Sequence, residues 1–348
     1  MNYYIYILFY YDMCIILTES PNSYNHLKQK NMNKVFLSTP FKSSLFLLLT
    51  SVTLICCKKN DPVAAAGPGT ITAQVSAGSN FTLLKSAVIK AGLAPTLDGT
   101  GNFTVFAPTD EAFTSSGVTS SVIGSLSGDQ LKKILLDHTL TSKILAAAVP
   151  AGPNAKVITA SGDSIFVTKN SNGVYVNGVN VTMADLPASN GVIHTMSKVL
   201  LPASGNIVQV ASSDTAFSFL VAAVLRASTG STNVAAILSG PGILTVFAPV
   251  NNAFRALGFA TIDAINAADP NALTAILTYH VVPGRVFACD LSNGIQAATA
   301  NGAKLTIGIA GSAASVKGLS NPTASAIIGT NLMATNGVVH VINQVLLP

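Results

Sequence analysis

Five histidines occur in the 348 residues, and four of them form two matched pairs. His138 and His280 lie in "ILLDHTL" and "ILTYHVV", while His194 and His340 lie in "NGVIHTM" and "NGVVHVI". An imidazole in an apolar setting can serve as a general base, ligate a metal, or sit buried while donating one hydrogen bond and accepting another. Repetition of each histidine in both halves argues for a structural part rather than a single active centre. Asp110 and Asn251 occupy matching points of "FTVFAPTDEAF" and "LTVFAPVNNAF" and are candidate partners for His138 and His280, because an amide oxygen accepts a hydrogen bond as a carboxylate does. A zinc-type site needs three or four converging ligands, and the scattered acids show no such spacing. The G-x-S-x-G elbow, phosphate-binding loop and H-E-x-x-H signatures are absent from the sequence. No catalytic residue, metal or cofactor is predicted.

The elements that must hold these residues are written twice. "LKKILLDHTL" at 131–140 returns as "LTAILTYHVV" at 273–282, and "NGVIHTMSKVLLP" at 190–202 returns as "NGVVHVINQVLLP" at 336–348. Such self-similarity marks two copies of one folding unit. Each copy opens on an amphipathic helix, with Phe81, Leu84, Val88 and Ala91 in one and Phe217, Leu220, Val224 and Leu225 in the other. A short strand "FTVF" or "LTVF" follows, expected to stop at Ala-Pro because proline cannot donate to a ladder. Thr109 reads as an N-cap, Ser127 with Gln130 as a capping box, and Asp269-Pro270 as a helix start. The last third of each copy is strand-rich, with Asn-Gly pairs expected to supply positive-φ hairpin turns. Helices first and antiparallel strands later predict an α+β unit.

Composition narrows the partners. Only 9% of residues are charged, against about 25% in ordinary soluble domains. No basic cluster of the kind that tracks nucleic acid is present. Residues 45–55, "LFLLLTSVTLI", are too short to span a bilayer, which needs about 20 residues. Preceded by Lys34 and Lys42 and followed by Cys56-Cys57, this stretch resembles a bacterial lipoprotein signal. The resemblance implies that Cys57 is the lipidated residue, with Leu54 at the upstream position, and that the protein is exported to the outer membrane, facing the periplasm or the cell surface. Residues 1–31 place aromatics ahead of any positive charge and fit no signal, so translation is expected to begin at Met32. A membrane helix over residues 3–17 is the other reading of this leader. The expected organisation is residues 1–31 upstream of the true start, 32–56 signal, 57–70 lipidated cysteine and linker, 71–202 first repeat and 203–348 second. Cys289, after the strand-like "RVFA", reads as a small buried hydrophobe.

The repeated boxes resemble the fasciclin domain family: "TVFAPTDEAF" and "TVFAPVNNAF" match its first box, the two C-terminal stretches its second, and Tyr279-His280 its central Tyr-His element. The resemblance implies two tandem domains, each an antiparallel β wedge or sandwich flanked by helices, used in adhesion and matrix contact rather than catalysis. The expected partners are a membrane, through the lipid anchor, and a matrix protein, polysaccharide or cell-surface molecule. An envelope receptor for a small apolar or glycan ligand is the alternative. The first copy departs from the family in carrying Asp137 before His138. Asp185-Leu186 resembles the family's Asp-Ile, replaced by Asn331-Leu332 in the second copy. Asp110, His138, Asp185, His194, Asn251, Tyr279, His280 and His340 are therefore the candidate binding or structural residues.

Overall fold

The computed structural model describes residues 67–348. The leader, Met32 and Cys57 lie outside the described residues. Each repeat builds one seven-stranded sheet with helices against it, an α+β arrangement repeated in tandem. In the first, β1 (Phe103–Pro108), β2 (Thr139–Leu140), β3 (Gly152–Ile158), β4 (Ser164–Asn170), β5 (Gly173–Val176), β6 (Val179–Ala188) and β7 (Gly191–Met196) pair in the order β2-β1-β7-β6-β5-β4-β3. In the second, β8 (Leu244–Pro249), β9 (Val281–Pro283), β10 (Gln296–Ala298), β11 (Lys304–Ala310), β12 (Ala313–Lys317), β13 (Ser325–Ala334) and β14 (Gly337–Ile342) pair in the order β10-β11-β12-β13-β14-β8-β9.

The strands are antiparallel with one exception per repeat: β1 runs parallel to β7, and β8 to β14. The closing strand of each copy is thus inserted beside the opening strand, and both are interior strands of the sheet. This explains why β7 is buried at every residue, where a one-faced strand would alternate. The first strand also runs further than expected. Pro108 and Pro249 are its last residues, in register with Met196 and Ile342, since a strand's terminal residue needs no donor.

Local signals set the helices. Ala112 N donates to Thr109 Oγ1, and the Ser127–Gln130 capping box is complete. Asp269 caps the helix Pro270–Tyr279 through Asn271 N and Ala272 N. On the helix Ser218–Ala227 the buried stripe is Phe219, Leu220, Ala223, Val224 and Ala227, and Leu225 points out to solvent.

The Asn of both closing stretches lies in the expected hairpin turn, β6–β7 or β13–β14, but without positive φ and with a further role. Asn190 and Asn336 are absent from the positive-φ residues, whereas Asn177-Gly178 does form such a turn, with φ 49° and 75°. Asn190 is a buried clamp. Its Oδ1 accepts from Ile71 N at 2.9 Å, and its Nδ2 donates to Leu97 O and Gly99 O at 2.8 and 2.9 Å. Asn336 repeats this with Ile207 N, Leu238 O and Gly240 O. Gly191 and Gly337 follow because a Cβ there would overlap the carbonyl oxygens of Phe103 and Leu244. The pair thus ties a short helix that precedes the expected one in each repeat, Ile71–Ala77 or Ile207–Ser212, to the strands β7 and β14.

Candidate functional site

His138 and His280 end the helices Gly128–Asp137 and Pro270–Tyr279 as C-cap residues. His138 Nδ1 lies 2.8 Å from Ile134 O, and Leu200 N donates to its Nε2 at 2.9 Å. His280 does the same with Ile276 O at 2.8 Å and Leu346 N at 2.9 Å. The carbonyl requires a proton on Nδ1 and the amide a lone pair on Nε2, so both rings are neutral. Burial, opposed only by the carbonyl contact, pushes both pKa values down to about 4. Asp110 and Asn251, read as their partners, are not. Asp110 caps another helix, accepting from Thr82 N, Thr82 Oγ1 and Leu83 N at 3.1, 2.7 and 2.8 Å. Asn251 accepts from Phe219 N and donates to Thr215 O. The N-cap positions Phe81 and Phe217 offer no side-chain oxygen, so the first box supplies one from a distance. Burial would raise the Asp110 pKa, but these donors outweigh it and hold the carboxyl below its ordinary value.

His194 and His340 lie on the central strands, each stacked on a phenylalanine: Phe106 or Phe247, at 5.6 Å and 28° in both repeats. His194 Nε2 meets Ile144 O at 2.9 Å, and Asp185 N donates to its Nδ1 at 3.1 Å. His340 uses Val286 O at 2.9 Å and Asn331 N at 3.5 Å. Each ring therefore links its strand to a loop on one side and to the bulged strand β6 or β13 on the other. Burial pushes the His340 pKa down. All four rings thus have both nitrogens committed to backbone groups. Asp185 and Asn331 sit at matching bulges with φ 63° and 62°, and their Oδ1 atoms accept from Ala146 N and Ala288 N at 2.9 and 2.8 Å.

Tyr279 is fully buried, its hydroxyl donating to Lys304 O at 2.8 Å and accepting from Leu319 N at 2.9 Å. It pins the segment 318–324, which replaces the tight Gly178 turn of the first repeat. Asp137, its counterpart, is also buried; Ser161 Oγ and Thr159 Oγ1 donate to its Oδ1, while Oδ2 has no partner among the described residues. Burial raises its pKa. The "DH" that departs from the family pattern is thus accompanied by a shorter loop, Asn177-Gly178, in place of the segment whose Leu319 N donates to the tyrosine hydroxyl. Cys289 lies in a short 3-10 turn, Ala288–Asp290, and the "RVFA" before it forms no strand. It is half-buried, and burial and the Asp290 charge push its thiol up to about 12.

Contacts between the repeats were not anticipated from the sequence. Phe166 on β4 receives the Arg285 guanidinium at 4.2 Å from its ring centroid and the Phe287 ring at 6.3 Å. Asn154 Nδ2 donates to Arg285 O at 2.7 Å, Asn170 Nδ2 to Cys289 O at 3.0 Å, and Thr168 Oγ1 to Asp290 Oδ1 at 3.2 Å. Asn331 Nδ2 donates to Gly178 O at 3.2 Å. The only advance signal was Asn331 itself, an amide where the first copy has a carboxylate. Among the described residues no three His, Cys, Asp or Glu side chains are placed to hold a metal ion. A cavity of about 30 Å³ beside Ile71, Val75, Leu84, Val88 and Leu97 has room for little more than a water molecule. No helix among the described residues is long and apolar enough to cross a membrane.

Comparison with known proteins places these boxes. The Fasciclin domain profile matches residues 79–202 and 216–348. Transforming growth factor-beta-induced protein ig-h3 of Sus scrofa is 30% identical over 260 residues, covering 74% of this chain and 36% of that protein. Protein sll1483 of Synechocystis is 36% identical over 154 residues, covering 44% of this chain and 79% of its own length. The solved fasciclin domain pair of the insect cell adhesion molecule Fasciclin I superposes at 16% identity with a TM-score of 0.37, covering 76% of this chain and 97% of that one. The chain spans about a third of the length of the first curated relatives it matches.

Proposed function

Because the chain belongs to the fasciclin domain family, we propose that it is an adhesion-type protein whose tandem domains bind a matrix protein, a polysaccharide or a neighbouring cell. The observation that carries this reading is the double fasciclin match over residues 79–202 and 216–348. The geometry agrees with it. Each candidate histidine spends its nitrogens on backbone partners, which leaves none poised as a base or ligand. Attachment by a lipidated Cys57, in the outer membrane, belongs to the same proposal and rests on the signal-like segment before it.

Surface proteolysis of intact cells tests the location, read by loss of the full-length band beside an internal periplasmic control. Cleavage at the surface is expected. A chain that survives until the envelope is permeabilised overturns the cell-adhesion reading.

A further inference from the structure

Asp185 and Asn331 do the same work within their own repeats. Each holds a positive-φ bulge and accepts a backbone N–H through Oδ1, a task open to amide and carboxylate alike. The atom that differs points at the other repeat. Asn331 Nδ2 donates to Gly178 O, where a carboxylate oxygen would face a carbonyl oxygen with no proton between them. Gly178 is fitted to this neighbour: its φ is +75°, and a Cβ would come within 2.7 Å of Asn331 Cγ.

We propose that Asn331 keys a closed joint, in which β3, β4 and the Asn177-Gly178 turn of the first repeat cover this face of the second, so that among the described residues one face of the kind, around Asp185, stays open instead of two. Each half of the joint is present once. The first repeat has Lys143, Leu145, Ala148 and Asp185 where the second has Arg285, Phe287, Asp290 and Asn331. The second has Thr306, Gly308 and Ala310 where the first has Phe166, Thr168 and Asn170, and the longer 318–324 segment where the first has Gly178. The aromatic ring, the amides and the tight turn thus meet the guanidinium and the loop carbonyls in one orientation only, so the contact does not continue from chain to chain. The open counterpart shows in exposure: Met183 58%, Leu145 42% and the Asp185 side chain 42%.

The consequence for binding rests on the adhesion reading. A partner that uses this face meets one site per chain, so avidity has to come from several chains on one surface. The joint itself does not rest on that reading.

Asn331→Asp is the specific test, because it keeps the bond to Ala288 N as Asp185 keeps its bond to Ala146 N. Cys289 is the reporter, its carbonyl held by Asn170 and its thiol beside Asp290. Alkylation by iodoacetamide at fixed pH, resolved by peptide mass mapping, is expected to speed up about tenfold at Cys289 in Asn331→Asp and in Phe166→Ala, through a larger open population. Asp185→Asn is expected to leave the rate unchanged. Equal Cys289 rates in wild type, Asn331→Asp and Phe166→Ala overturn the joint, as does an Asp185→Asn effect of the same size. Failure to bind any matrix surface would sink the adhesion reading and leave this result untouched.

Discussion

Acidification should destabilise both repeats, through His138 in the first and His280 in the second. Both rings are buried, with a carbonyl on Nδ1 and a backbone amide on Nε2. A proton added to Nε2 would confront the N–H of Leu200 or Leu346. Burial therefore lowers each pKa from 6.5 to about 4. A base whose pKa is depressed by folding binds more protons when unfolded, so its contribution is complete above pH 6.5 and is lost as pH falls toward 4. Mass action across that gap gives about 2 kcal/mol per ring at pH 5, or about 4 kcal/mol for the pair. Because the two rings lie in different repeats, each domain loses about 2 kcal/mol of the roughly 5–15 kcal/mol typical of a folded domain. Urea denaturation at pH 7.5, 6 and 5 measures the loss, and an imidazole NMR titration assigns it. Asp137 acts in the opposite sense, so the urea series is best run in an Asp137→Asn background. If His138 and His280 titrate near pH 6.5 in the folded protein, or if stability is flat to pH 5 in that background, the reasoning is wrong.

Three further outcomes follow from individual contacts. Asp137→Asn should raise the melting temperature at pH 7.5, because the raised carboxyl pKa means the ionised form costs stability above it; calorimetry at falling pH should show that advantage shrinking. Tyr279→Phe removes one buried hydroxyl with two partners; a loss of about 1–2 kcal/mol is expected in urea melts, with faster amide exchange at Leu319 marking the freed segment. Asn336→Ala leaves Ile207 N, Leu238 O and Gly240 O without their amide partner and should cost about 3 kcal/mol or more. Gly337→Ala should be at least as damaging, since its new methyl would overlap the Leu244 carbonyl oxygen, a backbone atom, and also press on Ile207 Cδ1.

Much of the fold was legible because the repeat doubled every signal. Ser127–Gln130 and Asp269-Pro270 marked helix starts that the backbone confirms, and paired histidines read as structural parts because one active centre needs no second copy. What remained hidden was long-range. Asp110 stands 28 residues from Thr82, and nothing in either stretch says that the carboxylate caps a helix there instead of meeting a histidine. Asn190 carries the letters of a turn, yet its amide reaches across 119 residues to Ile71. The parallel placement of β7 beside β1 is likewise invisible to alternation, because a strand buried on both faces has none. The contact at Asn331 was written as a single Asp-to-Asn difference between copies, and only the geometry shows which neighbour reads the amide.

The adhesion reading is the central claim, and immobilised partners test it most directly. The chain, coupled to beads at graded density, is passed over arrays of extracellular-matrix proteins and polysaccharides under flow. Retention on at least one class of surface is predicted, rising steeply with bead density and abolished by excess soluble chain. Beads that wash off every surface at all densities would contradict it.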